Sequence, residues 1–143
     1  MTAQSLYTPA MLAAAMELAN YPRFEEAAFH GTARSASCGS SLALDIALDP
    51  HKRVSRIGLA VRACAVGQAS AAIFARHAQG RSIEELTTVH DELIGWLGNE
   101  GHAPDWPDVE LIAPARNYRG RHGAMLLPWK AAIAALSSVA TSG

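Results

Sequence analysis

Charge is scarce in this chain. Only 17% of its 143 residues are Asp, Glu, Lys or Arg, the formal net charge is −1, and no basic run or stripe appears. A nucleic-acid backbone or an anionic membrane surface is therefore excluded as the main partner, because both are recognised through concentrated positive charge. Long hydrophobic runs are also missing. The most apolar stretch near the start, Met11-Leu12-Ala13-Ala14-Ala15-Met16, has no Lys or Arg before it and is interrupted by Glu17. It is too short to span a bilayer and lacks the charged flank of a signal sequence. No phosphate-cradling glycine loop, nucleotide fingerprint or Ser/His/Asp arrangement is present. Cysteine is limited to Cys38 and Cys64. With the cytoplasm as the expected compartment, two such cysteines read as reduced thiols rather than a structural disulfide.

What is present suits one compact unit. Half of the residues are hydrophobic, enough to close a core, and no repeat or low-complexity linker divides the chain. A single domain over residues 1–143 is expected. An Ala-, Leu- and Met-rich helix is predicted over residues 9–20, stopped at Pro22. Leu42, Leu44, Ile46 and Leu48 alternate with Ala43, Asp45, Ala47 and Asp49, the period of a strand with one wet face. Ile57, Leu59 and Val61 repeat the pattern, and the polar turn from Asp49 through Pro50 to Arg53 makes the two strands an antiparallel hairpin. A third strand is expected over residues 30–37, with a turn near Cys38-Gly39.

Beyond Cys64 the period becomes helical. One helix is predicted over residues 65–79, ended by Gly80. Ser82 and Glu85 form a capping box for a second, whose apolar stripe comprises Ile83, Leu86, Val89, Leu93, Ile94 and Leu97. A short turn over 108–112 and a last helix over 123–138, with Pro128 in its first turns, complete the order. The expected class is α+β: a small three-stranded antiparallel sheet with helices packed on one face.

Cys38 lies in a turn beside Gly39, which permits a sharp bend. Cys64 lies where a strand gives way to a helix, and a thiol there faces unpaired N–H groups and the positive end of the helix dipole, an environment that favours thiolate. Pairing through the Asp49–Arg53 turn brings both cysteines to one end of the sheet. The alternative is that both are small buried apolar side chains. Trp96, Trp106 and Trp129 read as packing residues. Arg116, Arg119 and Arg121 either hold an acidic partner segment or stabilise thiolates, or form a solvated basic loop. His30, His51, His77, His90 and His102 read as solvated or core-edge residues.

Several runs together resemble the IscU/SufU/NifU N-terminal family of iron–sulfur scaffolds. They are Leu6-Tyr7, Asn20 with Pro22-Arg23, Cys38-Gly39, then Leu44, Ile46, Leu48 and Asp49, Cys64 with Ala69-Ser70-Ala71, Gly80 to Glu84, Pro114-Ala115-Arg116 and Leu127 to Ala131. The similarity spans nearly the whole chain, and the insert around residues 86–114 is closer to the SufU branch.

The resemblance implies a SufE/NifU-like fold and a scaffold or sulfur acceptor that holds zinc, iron or a nascent iron–sulfur cluster. It also implies a cysteine desulfurase as partner and apo-proteins as cluster acceptors. The family's three cysteines and one aspartate carry over in part. Cys38 and Cys64 match the first two cysteines, Ser40 stands at the aspartate, and the third cysteine falls at about Ala124. His122, two residues earlier, is a candidate third metal ligand beside Cys38 and Cys64, with an ordinary loop histidine as the alternative. A second functional reading is a SufE-like sulfurtransferase accessory carrying persulfide on Cys64, with Cys64 then the reactive residue. A third is a relative that retains only partner binding.

Overall fold

The computed structural model describes residues 6–36 and 39–142, with side chains to residue 137. Helix α1 (Pro9–Met16) starts at Thr8, whose Oγ1 accepts from Met11 N at 3.1 Å, with Pro9 in the first turn. Its last turn tightens into a 3₁₀ segment, Glu17–Asn20. Three strands follow: β1 (Phe29–Arg34), β2 (Ser41–Leu48) and β3 (Val54–Arg62), antiparallel in the order β1-β2-β3. Helix α2 (Ala65–His77), α3 (Ile83–Leu97) and α4 (His122–Ser142) complete the chain, with 3₁₀ segments at Val109–Asn117 and Arg119–Arg121. The expected α+β architecture is the observed one. No helix among the described residues is long and apolar enough to cross a membrane.

The inner face of the sheet is set by alternation. Leu42, Leu44 and Ile46 of β2 are at most 2% exposed, opposite Ile57 and Leu59 of β3. Helix α4 crosses β1 and β2, α2 packs on β3, and α3 lies outside α4. The crossing of α4 over β1 requires Gly31. A Cβ there would collide with the Ala131 carbonyl and lie 2.8 Å from Ala135 N, both backbone atoms of α4. Above the sheet, Phe74 stacks on Trp106 at 5.6 Å, and Trp129 meets both rings edge-on. All three tryptophans are buried, as the sequence suggests.

The hairpin turn forms as expected. Asp49 Oδ1 accepts from His51 N and Arg53 N, and Lys52 takes the left-handed conformation. Arg53 then donates to Gly80 O and Glu85 Oε1, tying the turn to the start of α3. There Ser82 Oγ accepts from Glu85 N at 3.2 Å, the first half of the predicted capping box. The Glu85 carboxylate is held by Arg53 and the Ser82 hydroxyl, and that Arg53 bond lowers its pKa.

Some expectations are corrected. Strand β1 ends at Arg34, because Ser35 N turns back to Ser40 O and Gly39 N to Ser35 O. Helix α2 ends at His77. The segment from Val109 is a nine-residue 3₁₀ helix containing Pro114, which has no N–H to donate. Ile94, assigned to the buried stripe of α3, is half exposed. His77 is no bystander: its Nε2 donates to Asp108 at 2.7 Å. That bond and Arg76 hold the Asp108 carboxyl below its usual range, and Asp108 itself has a left-handed backbone.

The largest correction concerns Asp45. Read as a wet-face residue, it is 1% exposed. The segment after Tyr21 wraps over the edge of β3, where Leu59 N donates to Tyr21 O, and covers the outer face. Gly58, paired with Asp45, makes this possible, since a Cβ there would lie 2.9 Å from Arg23 Cα. Asp45 then accepts from Arg23 Nη2 at 2.6 Å, Arg23 Nε at 2.9 Å, Phe24 N at 3.0 Å and His30 Nδ1 at 2.6 Å. The Arg23 guanidinium foremost, against the opposing effect of burial, holds its carboxyl far below the usual range.

Two stability tests follow from this packing. Gly31→Ala should cost about 3 kcal/mol, since only backbone could yield; a melting temperature unchanged from wild type would refute the close crossing. Asp45 binds its proton more weakly folded than unfolded, so its stabilisation is present at neutral pH and is lost as pH falls below about 4. Asp45→Asn should therefore destabilise the protein by roughly 2 kcal/mol at pH 7, with the difference shrinking in acid, as measured by urea unfolding across pH.

Candidate functional site

The sulfur-bearing end of the sheet is defined by the cross-strand row Arg34, Ser41 and Arg62. At that end the chain turns from β1 into β2 through Ser35, Gly39 and Ser40, with Gly39 at φ 71°. Cys38 itself lies outside the described residues. At the same end β3 gives way to Cys64, which occupies the N-cap of α2 with extended backbone and makes no capping bond through its side chain. Cys64 is half-buried and is a free thiol. Its carbonyl accepts from Gln68 N, and the Gln68 side chain donates back to Ala63 O at 2.9 Å. The first N–H groups of α2 and the positive end of its dipole thus lie beside the sulfur.

The first turns of α2 and α4 are pressed together here. A Cβ on Gly67 would stand 3.1 Å from the Ala124 Cβ, and Ser70 Oγ donates to Met125 O at 2.6 Å. The position matched to the family's third cysteine is therefore close to the first turn of α2. Its occupant is a fully buried methyl group.

His122 is the first residue of α4 rather than a loop residue. Its Nε2 donates to Arg116 O at 2.7 Å, since a carbonyl can only accept, which leaves Nδ1 as the uncommitted nitrogen. The ring lines a cavity with Leu126 on the α3 side of α4. Residues 122 and 126 share a helix face, whereas 124 projects from the opposite one. His122 and Ala124 thus serve different sides of the same turn.

Donor chemistry follows from these placements. A resident tetrahedral metal takes four N, S or carboxylate ligands. Among the described residues no three His, Cys, Asp or Glu side chains are grouped closely enough to hold an ion. Ser40, at the family's aspartate, is buried and brings a hydroxyl where the family has an anion. The described residues alone do not fit a closed metal site.

The arginine cluster divides. Arg116 donates to Trp96 O and stacks over the Trp96 ring at 4.6 Å, and Arg121 reaches Tyr7 Oη at 3.3 Å. The Arg119 side chain makes no hydrogen bond or ion pair among the described residues. The Arg23–Asp45–His30 group escaped sequence reasoning. Its only signal was an acid flanked by Leu44 and Ile46 in an apolar strand.

No family model matches the chain, and no curated protein matches it in sequence. Solved structures do. A nitrogen-fixing NifU-like protein, N-terminal part, from Brucella abortus is 26% identical over 97% of both chains, with a TM-score of 0.87. A SufU protein from Fervidobacterium islandicum, described as an iron–sulfur cluster assembly scaffold for the SUF system, shares the fold at 20% identity and a TM-score of 0.79, over 92% of this chain and 96% of its own. The likeness read from Cys38-Gly39, Cys64 and the flanking runs thus extends over the whole architecture, which is similar from end to end to that of the NifU-like N-terminal protein, with Ser40 and Ala124 at two of the positions the resemblance assigns to ligands.

Proposed function

We propose that this chain is a cytoplasmic scaffold or sulfur acceptor of iron–sulfur cluster assembly, served by a cysteine desulfurase and delivering to apo-proteins. The observation that carries the reading is the end-to-end likeness to a NifU-like N-terminal protein, with Cys64 at a helix N-cap beside the first turn of α4. Cys38 and Cys64 supply the thiolates that hold iron, zinc or a nascent cluster as cargo. His122 offers Nδ1 as a third donor, its Nε2–H anchored on Arg116 O in the way ligating histidines are oriented by a carbonyl. To join the cysteines its ring must swing from the α3 side of the turn.

A second reading, sulfur acceptance with metal incidental, is favoured by the buried methyl at Ala124 and the hydroxyl at Ser40. Here the Cys64 thiolate attacks the outer sulfur of the desulfurase persulfide. A new S–S bond forms on Cys64, the donor S–S bond breaks, and the donor cysteine leaves as thiolate, with no net oxidation.

Incubation with a cysteine desulfurase and cysteine, followed by alkylation and mass spectrometry, should place persulfide on Cys64 and lose it in Cys64→Ser. Equal labelling of both proteins would refute sulfur acceptance at this residue. For the scaffold reading, iron or zinc retained against a chelator should fall in Cys38→Ser and Cys64→Ser, and in His122→Ala if that ring ligates. The double variant Ser40→Asp/Ala124→Cys should retain zinc more tightly by about an order of magnitude or more. Retention that ignores all of these substitutions would overturn the assignment.

A further inference from the structure

We infer that the cavity between the C-terminal end of α3 and the first turn of α4 binds a small organic carboxylate with a short apolar body. The cavity holds about 500 Å³, within the range of small-molecule sites. Its apolar wall is Ile94, Leu97 and Leu126, and its polar side is Arg116, Arg119 and His122, with Asn99 and Asn117 at the edge. Among the described residues no Asp or Glu lines it. An apolar floor facing two guanidinium groups, with no acid between them, is complementary to a molecule carrying one anionic end.

The two arginines are not equivalent. Arg116 is fixed: Nε and Nη2 converge on Trp96 O at 3.2 and 2.8 Å, Nη2 also faces Asn99 Oδ1, and the guanidinium lies over the Trp96 ring. Its partners are all neutral, so it brings an oriented charge, part of which compensates the negative end of the α3 dipole. Arg119 is exposed and its side chain has no partner among the described residues, so its five donors remain for a ligand. The first turn of α4, a 21-residue helix, presents its positive end at the same place. Ile94 explains itself in this setting: a large apolar side chain, 49% exposed, gains a covering from the ligand's body.

This inference does not rest on the thiol chemistry. Cys64 is absent from the cavity wall, and Ala124 faces away from it toward Gly67.

The test is a titration of the full chain with hexanoate, followed by amide chemical shifts in two-dimensional NMR, with 1-hexanol and inorganic phosphate as parallel arms. Hexanoate should bind saturably, with the largest shifts at Ile94, Asn99, Arg119, His122 and Leu126. Arg119→Gln, at an exposed position, should weaken it about tenfold, the worth of one charge-assisted hydrogen bond. Ile94→Asp, also on the surface, should abolish it. Equal affinity for 1-hexanol would overturn the carboxylate assignment, and equal affinity for phosphate would overturn the apolar body. Shifts scattered over the surface, or hexanoate affinity unchanged in Arg119→Gln, would overturn the site itself.

Discussion

A carboxylate buried under the outer face of the sheet organises much of the molecule around it. Asp45 sits mid-strand in β2, where water is excluded, and its negative charge persists only because Arg23, His30 and the Phe24 N–H converge on it. Those partners come from two places: the neighbouring strand β1, and the segment after α1, whose backbone had to cross the sheet edge to arrive. The ion pair therefore fixes where the chain enters the sheet. Once that entry is set, Tyr21 O closes the free edge of β3 at Leu59 and blunts a strand that could otherwise pair with another chain. Gly58 is part of the same arrangement, its missing side chain leaving room for the crossing backbone.

A second set of charges does for the helices what Asp45 does for the sheet. Arg76 of α2 bonds Glu17 after α1 and Asp108 before the long 3₁₀ segment, and its guanidinium pKa is raised, foremost by the Glu17 bond. His77 adds its bond to the same aspartate. Residues remote in sequence are drawn onto the C-terminal end of α2. Toward the N-terminal end of that helix, where Cys64 lies, Gly67 packs closely against Ala124 of α4 and Ser70 bonds Met125 O. The helix is held by charge at one end and by close packing with one neutral hydrogen bond toward the end that carries the thiol.

The sequence was most informative where causes were local. Alternation in β2 and β3 located both strands and their turn, because period two needs no distant partner to be recognised. Ser82 with Glu85 marked the start of α3 for the same reason. The burial of Asp45 was illegible because it depends on residues 21–24 reaching over β3, which no window around Asp45 contains. His30 and His77 were passed over alike: their partners stand 15 and 31 residues away. At the candidate site, Cys64 at a strand-to-helix junction was readable from the change of period. The orientation of His122 was not. Placing the start of the last helix one residue late left His122 in a loop, where its facing is undetermined, whereas as the first residue of α4 it shares a face with Leu126.

The aromatic stack has an optical consequence. Trp106 and Trp129 are packed edge-on at 5.4 Å in the core, whereas Trp96, in the last turn of α3, lies beneath the Arg116 guanidinium. Excitation of the core pair is shared between neighbouring indoles shielded from solvent, so their emission reports the integrity of the core and little of events at the thiol. Trp96, with a cation against its face, is a separate chromophore whose emission follows the position of that charge. One molecule thus carries two intrinsic fluorophore environments, one sensing collapse and the other sensing the surface between α3 and α4.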